Sequence, residues 1–274
     1  MPLEIKDVLA RWIEVQIEAS SDIPILCVSG AQGIGKSTAL QQVDLHFEQS
    51  VAILGLDDFY LPHVERLELA KEVHHLFEVR GPPGTHDLTF LNRTIDTLLQ
   101  ASAQSETHIP KFDKRADERA PRSEWTVFKG RPSAILFEGW CVGALPASNE
   151  ERITPMNSVE ALDDAGVWRR HQEEQLAGPY SELWARADAF FHLRAPSFSQ
   201  VLDWRREQEA TTLGVPYDHL PEERALWVAR FIEHYERLTT RMLGGNRCKG
   251  YTLNVDVQRK PAPLNPVPLI AFSD

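Results

Sequence analysis

Cysteine is scarce in this chain of 274 residues: Cys27, Cys141 and Cys248 lie far apart, with no CxxC spacing. This argues against a disulfide framework or a structural zinc site, and it predicts a reducing, cytoplasmic environment. No apolar run reaches the roughly 18 residues that identify a membrane-spanning helix, and residues 1–20 lack the features of a signal peptide. Basic residues are also few, with 29 Lys and Arg against 40 Asp and Glu, a net charge of −11. We therefore expect neither nucleic acid nor a membrane as a partner.

Apolar runs of strand length alternate with helical patterns along the chain, which is typical of an α/β fold with a mainly parallel sheet. The predicted strands are residues 23–29, 51–56, 109–112, 133–137, 189–193 and 251–257. The predicted helices are residues 3–19, 36–48, 64–76, 88–100, 167–186, 198–211 and 222–243. We expect one domain over residues 1–274, with an N-terminal helix (about 1–20), a charged surface loop at 113–124, an irregular excursion at 143–166 and a proline-rich C-terminal tail at 261–274.

A glycine-rich string after the first predicted strand fits the phosphate-loop pattern GxxxxGK[ST] in full. It consists of Gly30, Ala31, Gln32, Gly33, Ile34, Gly35, Lys36 and Ser37, followed by Thr38. The glycines let several backbone N–H groups face one anion, and the N-terminus of the next helix adds partial positive charge. Lys36 is expected to reach the β- and γ-phosphates, and the Ser37 hydroxyl to bind Mg²⁺. The pattern predicts nucleotide binding, but alone it does not separate a kinase from a GTPase, a motor or a regulator.

Acidic residues follow two further predicted strands. Asp57 and Asp58 end one apolar run, and Glu138 ends another. Because ligands of such sheets lie beyond the carboxyl ends of the strands, these acids should face the same crevice as the phosphate loop. We assign Asp57 as the base that takes a hydroxyl proton and Glu138 as a metal ligand. For Asp58, a role in substrate binding and a simple turn cap are both open.

Five strings, in order along the chain, resemble motifs of the D-glycerate 3-kinases and their kinase-like relatives, within the wider phosphoribulokinase, uridine kinase and pantothenate kinase group. They are LDDFYL at 56–61, RGPPGTHD at 80–87, IPKFDK at 109–114, ILFEGW at 135–140 and WRREQE at 204–209. The resemblance extends from about Pro24 to the helix around Tyr235. It implies a P-loop NTPase fold of the nucleoside and small-molecule kinase type, with a parallel sheet flanked by helices.

The same resemblance implies ATP- and Mg²⁺-dependent phosphorylation of a hydroxyl on a small molecule. It places the catalytic base at Asp57 and the metal-assisting acid at Glu138, as the strand ends do. It further implies a lid arginine over the phosphates, at Arg205 or Arg206. The resemblance also places Arg80, His86 and Asp87 in the acceptor pocket, and we assign Asp58 and Tyr60 to substrate binding as well.

A locally basic segment stands out from the acidic background. Residues 111–131 contain seven Lys and Arg against four Asp and Glu. We expect most of these charges to be solvated, and Lys114 alone to hold an anionic group of the acceptor. A D-glycerate-like hydroxy acid is the first expected acceptor, with pantothenate, a nucleoside or another small hydroxyl compound as alternatives. A regulatory or assembly protein that hydrolyses ATP without an acceptor is a further alternative. It would have no need of the acceptor-side residues.

Overall fold

Strands and helices alternate along the computed structural model, which describes residues 3–48, 50–147 and 154–262. The strands are β1 (Ile25–Gly30), β2 (Val51–Gly55), β3 (Glu106–Ile109), β4 (Phe112–Asp113), β5 (Glu118–Arg119), β6 (Thr126–Lys129), β7 (Ala134–Gly139), β8 (Ala189–Arg194) and β9 (Tyr251–Asn254). The helices are α1 (Ile5–Ala19), α2 (Lys36–His46), α3 (His63–Glu72), α4 (Leu88–Leu99), α5 (Val167–Gln175), α6 (Ser181–Trp184), α7 (Phe198–Leu213) and α8 (Glu222–Leu243).

A parallel five-stranded sheet in the order β2–β7–β1–β8–β9 forms the centre of the fold. Every residue of β1 is buried, as expected for a central strand covered on both faces. Helices cover the sheet. Trp12 of α1 packs edge-to-face against Phe191 of β8, and the ring centres of Trp184 in α6 and Phe137 in β7 lie 6.0 Å apart. The α/β class and the parallel sheet flanked by helices are thus confirmed.

The register of the sheet brings three strand ends together. Gly55 at the end of β2 is paired with Glu138 of β7, and Gly139 is paired with Ser29 of β1. A short 3₁₀ turn, Leu56–Phe59, continues directly from β2 and carries Asp57 and Asp58. Because all three strands are parallel, the phosphate loop and both sets of acids lie at one edge of the sheet.

The structure departs from the predicted elements where proline interrupts a pattern. The predicted strand 109–112 contains Pro110, which has no N–H to donate, and the structure divides it between β3 and β4. The predicted helix 167–186 is broken at Gly178 and Pro179, between α5 and α6. The predicted surface loop 113–124 contains β5 and a 3₁₀ turn, and β6, which pairs with β3, was not predicted.

The excursion at 143–166 is irregular where it is described, apart from a 3₁₀ turn at Glu160–Leu162. Its buried acids are paired with arginines from neighbouring helices. Glu160 accepts from Arg237 of α8, and Asp163 accepts from Arg169 of α5 at 3.0 Å. Residues 148–153 of the excursion, and 263–274 of the predicted tail, lie outside the described residues. The single-domain assignment stays a prediction.

The central strand supports a prediction about stability. Leu26 is fully buried in β1, between Leu136 of β7 and Ala189 of β8. Leu26→Ala should lower the free energy of unfolding by about 2–5 kcal/mol, because it leaves a cavity in a packed core. Urea unfolding followed by circular dichroism measures the change. Leu45→Ala is the matched control, since Leu45 on α2 is 71% exposed, and a loss there as large as at Leu26 would contradict this account of the core.

Candidate active site

The phosphate loop connects β1 to α2. Gly33 and Gly35 have φ angles of +76° and +100°, which only glycine adopts readily. Gly33 is also held by packing, since a Cβ there would lie 2.7 Å from Cβ of Trp204. The Lys36 ammonium donates to the Gly30 carbonyl at 2.6 Å, so the lysine folds back across its own loop. Gly30, Ala31 and Ile34 are buried and shape the loop, whereas Ser37 and Thr38 at the start of α2 are exposed.

The loop borders a solvent-open cleft of about 980 Å³, which we call the cleft. Most of the predicted site residues line it together. The lining residues are Gln32, Gly33, Lys36, Ser37, Asp57, Asp58, Tyr60, Arg80, Lys114, Glu138, Gly139, Trp140, Arg205, Gln208, Phe231 and Tyr235. The structure thus brings Lys36 of the phosphate loop and the predicted base Asp57 to the walls of one space.

Asp57 accepts two short hydrogen bonds in the cleft. Lys114 donates from Nζ to Oδ2 at 2.5 Å, and the Tyr60 hydroxyl donates to Oδ1 at 2.7 Å. Burial alone would raise the pKa of the Asp57 carboxyl, but the charge of Lys114 and these two hydrogen bonds outweigh it and hold the pKa well below its usual range. Asp57 is therefore ionised at neutral pH.

Asp58 and Glu138 both lie beside Gly55 at the end of β2. A Cβ on Gly55 would lie 3.7 Å from Oε1 of Glu138 but only 2.8 Å from Oδ2 of Asp58, so a side chain there would crowd the Asp58 carboxylate. Burial raises the pKa of both acids, and the charge of Lys36 partly offsets this at Glu138. Asp58 also accepts from the Phe112 N–H at 3.1 Å, which fastens β4 to the cleft. Asp58 therefore fixes the position of β4 in addition to lining the cleft.

The two candidate lid arginines differ in their surroundings. Arg205 lines the cleft, with its guanidinium 5.8 Å from the ring centre of Phe231 and one hydrogen bond to Gln208. Within the described ranges Arg205 forms no ion pair, whereas the Nε atoms of both arginines lack a hydrogen-bond partner. Burial lowers its pKa. Arg206 does not line the cleft and instead lies 3.8 Å from Asp203, one turn back on α7. Of the two, only Arg205 is placed to meet an anion in the cleft.

The predicted acceptor residues divide into two groups. Arg80, Tyr60 and Lys114 line the cleft, whereas His86 and Asp87 lie behind it. His86 is buried, with its ring stacked 4.8 Å from that of Tyr60 and its Nδ1 bonded to the Tyr180 hydroxyl at 2.5 Å. Burial lowers the pKa of His86 to about 4, so the ring is neutral.

Asp87 does not line the cleft, and its carboxylate instead holds parts of the chain together. It caps α4 by accepting from the Phe90 N–H at 2.9 Å. Its second oxygen accepts from Arg119 at 3.2 Å. Neither His86 nor Asp87 is among the residues that line the cleft, and their assignment to the acceptor pocket stays a prediction.

Some site residues carried no usable signal in the sequence. Arg259, after β9, donates from Nε to the Gly33 carbonyl at 2.7 Å and pairs with Glu207 at 2.6 Å. Phe231 and Tyr235 of α8 line the cleft, and the Tyr235 hydroxyl donates to the Arg80 carbonyl at 2.7 Å. Aromatic residues four apart on a helix are indistinguishable from core residues by sequence alone, and the Arg259 segment matches no motif.

Comparison with known proteins identifies the family. The chain is 31% identical over 246 residues to "Uncharacterized kinase mug58" of Schizosaccharomyces pombe, and the match covers 84% of the chain and 85% of that protein. It is 30% identical over 251 residues to "Probable ATP-dependent kinase TDA10" of Saccharomyces cerevisiae, covering 83% and 80%. The chain belongs to the same family of P-loop kinases as these two yeast proteins. The predicted ATP-dependent small-molecule kinase is thereby confirmed.

Further similarities of this kinase agree with its fold. It is 27% identical to the chloroplastic D-glycerate 3-kinase of Arabidopsis thaliana, covering 93% of the chain and 59% of that protein. Two solved structures match it over 94% of its length: the YGR205w protein, with 21% identity and a TM-score of 0.71, and D-glycerate 3-kinase from Cryptococcus neoformans, with 22% and 0.73. The two matches cover 96% of the YGR205w chain and 97% of the Cryptococcus neoformans chain. No protein-family model matches the kinase. Among its described helices, none has the length and apolar character needed to span a membrane.

Proposed function

We propose that this kinase transfers the γ-phosphoryl group of ATP to a hydroxyl of a small hydroxy acid, with D-glycerate as the first candidate. The observation that carries the proposal is the cleft itself. It places the phosphate-loop lysine Lys36 and the acid Asp57 on the walls of one space, together with three further cations, Arg80, Lys114 and Arg205. Similarity to a plant D-glycerate 3-kinase supports the choice of acceptor.

Each residue has a separate task in this reaction. As the acceptor oxygen forms its bond to the γ-phosphorus, Asp57 takes the hydroxyl proton. The bond from that phosphorus to the bridging oxygen breaks, and ADP leaves. Lys36 and Arg205 balance the charge on the transferring group, and the N–H groups of the phosphate loop hold the remaining phosphate oxygens.

Two oxygen donors on the wall of the cleft fit Mg²⁺. Ser37 at the start of α2 supplies a hydroxyl, and Glu138 in β7 supplies a carboxylate. Over the described ranges no three acidic, histidine or cysteine side chains form a metal cluster. This suits Mg²⁺, which is usually held by one or two protein ligands together with water and phosphate oxygens. When bound there, Mg²⁺ neutralises charge on the phosphates.

The charges in the cleft favour an anionic acceptor over a neutral one. Lys36 is assigned to the nucleotide, and Arg205 has no ion-pair partner in the part of the chain that the structure describes. Lys114 is paired with the base. Arg80 is held by Asp117 at 2.5 Å, and its guanidinium lies 5.8 Å from the ring centre of Phe112. A carboxylate on the acceptor could form a charge-assisted hydrogen bond with Lys114 or Arg80 in exchange for the present contact with Asp57 or Asp117.

A panel of acceptors tests the proposed function. ADP formation should depend on both Mg²⁺ and an acceptor, and among D-glycerate, glycerol, pantothenate and uridine it should be fastest with D-glycerate. Removing the metal with EDTA should abolish turnover, and adding excess Mg²⁺ should restore it. Equal ADP formation with and without every member of the panel would favour an ATP-hydrolysing regulator instead. The absence of a nucleic-acid partner and the cytoplasmic location stay predictions.

A further inference from the structure

The acid assigned as base is blocked in the structure. Both carboxylate oxygens of Asp57 already accept a hydrogen bond, one from the Lys114 ammonium at 2.5 Å and the other from the Tyr60 hydroxyl at 2.7 Å. A carboxylate held this way by a cation has little tendency to take a proton. The free kinase therefore holds its base in a weakly basic state, although a hydroxyl must be deprotonated there during transfer.

The blocking lysine is free to leave while the backbone that carries it stays in place. Lys114 lies between β4 and β5, and its side chain is 56% exposed. The hairpin is fastened to the rest of the fold through both strands, by the Phe112 N–H to Asp58 at 3.1 Å and by the Arg119 guanidinium to Asp87 at 3.2 Å. Among the described residues, Asp57 is the only hydrogen-bond and ion-pair partner that the structure gives Lys114.

We propose that Lys114 caps Asp57: its ammonium occupies the carboxylate until an anionic group of the acceptor draws the lysine side chain away. The inference rests on the proposed function, because it takes Asp57 as the base. An acceptor carboxylate offers Lys114 a new charge-assisted hydrogen bond in exchange for the one it leaves. A neutral hydroxyl compound offers no such exchange, so Asp57 stays capped. Lys114 thereby selects acceptors that carry a negative charge as well as a hydroxyl.

The cap also protects ATP. With water in place of the acceptor, the water oxygen forms the bond to the γ-phosphorus and the bond to the bridging oxygen breaks. The water proton passes to Asp57 and then to solvent, giving ADP and inorganic phosphate. Water carries no charge that attracts Lys114, so this hydrolysis is slow while the cap is in place. ATP alone does not remove the cap, because its phosphates are held by Lys36 and the loop N–H groups.

A simple binding role for Lys114 predicts a different result. If Lys114 only held the acceptor, its loss would raise the KM for D-glycerate and leave hydrolysis without acceptor unchanged. The cap predicts that hydrolysis rises when the lysine is lost. The rate of ATP hydrolysis in the absence of acceptor is therefore the quantity to measure.

Lys114→Met should raise acceptor-free ATP hydrolysis by about tenfold, a part of the effect of a positioned base. It should also lower the ratio of kcat/KM for D-glycerate to kcat/KM for glycerol. Lys114→Arg retains the charge and should keep hydrolysis low. Lys111→Met is the matched control, since this exposed lysine lies in the same basic segment outside the cleft and its loss changes the net charge equally.

The double variant Lys114→Met, Asp57→Asn decides whether the added hydrolysis passes through Asp57. The cap predicts that the increase disappears. Hydrolysis by Lys114→Met at or below the wild-type rate, or an increase that survives Asp57→Asn, would overturn the cap. If the wild type phosphorylates D-glycerate but Lys114→Met hydrolyses no faster, only the cap fails. If no acceptor is phosphorylated but the Asp57-dependent increase is present, the cap stands and the acceptor assignment fails.

Discussion

Asp57→Asn should lower phosphoryl transfer to the acceptor by about 10²- to 10⁴-fold, the range that a positioned general base contributes. The asparagine amide fills the same space but cannot take the hydroxyl proton. ATP affinity should stay near the wild-type value, because the phosphates are held by the loop and by Lys36 on another wall of the cleft. Steady-state kinetics of ADP formation and equilibrium binding of a non-hydrolysable ATP analogue measure the two quantities separately.

Asp164→Asn provides the control for Asp57→Asn, because Asp164 is exposed and lies outside the cleft. Its turnover should match the wild type. An Asp57→Asn variant with wild-type turnover would remove Asp57 from the role of base. A variant that loses ATP affinity as well as turnover would instead indicate that Asp57 shapes the nucleotide site.

Arg205→Met should lower turnover by about 10³-fold or more, the effect of an arginine that stabilises charge on a transferring phosphoryl group. Arg205 lines the cleft and makes no ion pair among the described residues, so its guanidinium is available to bind an incoming anion. Arg206→Met removes the same charge from the next position of α7. Its effect should stay within about twofold, because its pairing with Asp203 is a partly exposed contact of small energetic value.

The comparison of these two arginine variants tests the geometry of α7. Both need only the same kinetic assay, with thermal unfolding to show that each variant is folded. Equal losses at Arg205 and Arg206 would contradict the assignment, as would a larger loss at Arg206. A higher KM for the acceptor with unchanged turnover would instead indicate that Arg205 binds the acceptor and does not stabilise the transferring phosphoryl group.

Much of the framework was predictable because its signals are local. The phosphate loop needs glycines at fixed positions, and the structure shows positive φ angles at Gly33 and Gly35. The apolar runs of the sheet predicted all five central strands, since a parallel sheet buries both faces. The acids were expected at one edge because parallel strand ends converge, and Asp57 and Glu138 do line one cleft.

The remaining features depend on contacts between distant parts of the chain. Lys114 is 57 residues from Asp57, and only the placement of the β4–β5 hairpin brings them together. Adjacent arginines on a helix point about 100° apart, so separating Arg205 from Arg206 requires knowing which face of α7 meets the cleft. His86 belongs to a recognisable motif, yet its stacking on Tyr60 follows from the path of the loop before α4.

Transfer of label from [γ-³²P]ATP separates phosphoryl transfer to an acceptor from hydrolysis. With D-glycerate present, we expect the wild-type kinase to place the label in an organic phosphate ester and Asp57→Asn to do so far more slowly. Without acceptor, little label should be released as inorganic phosphate. Label that appears only in inorganic phosphate, at one rate with and without acceptor, would contradict the account.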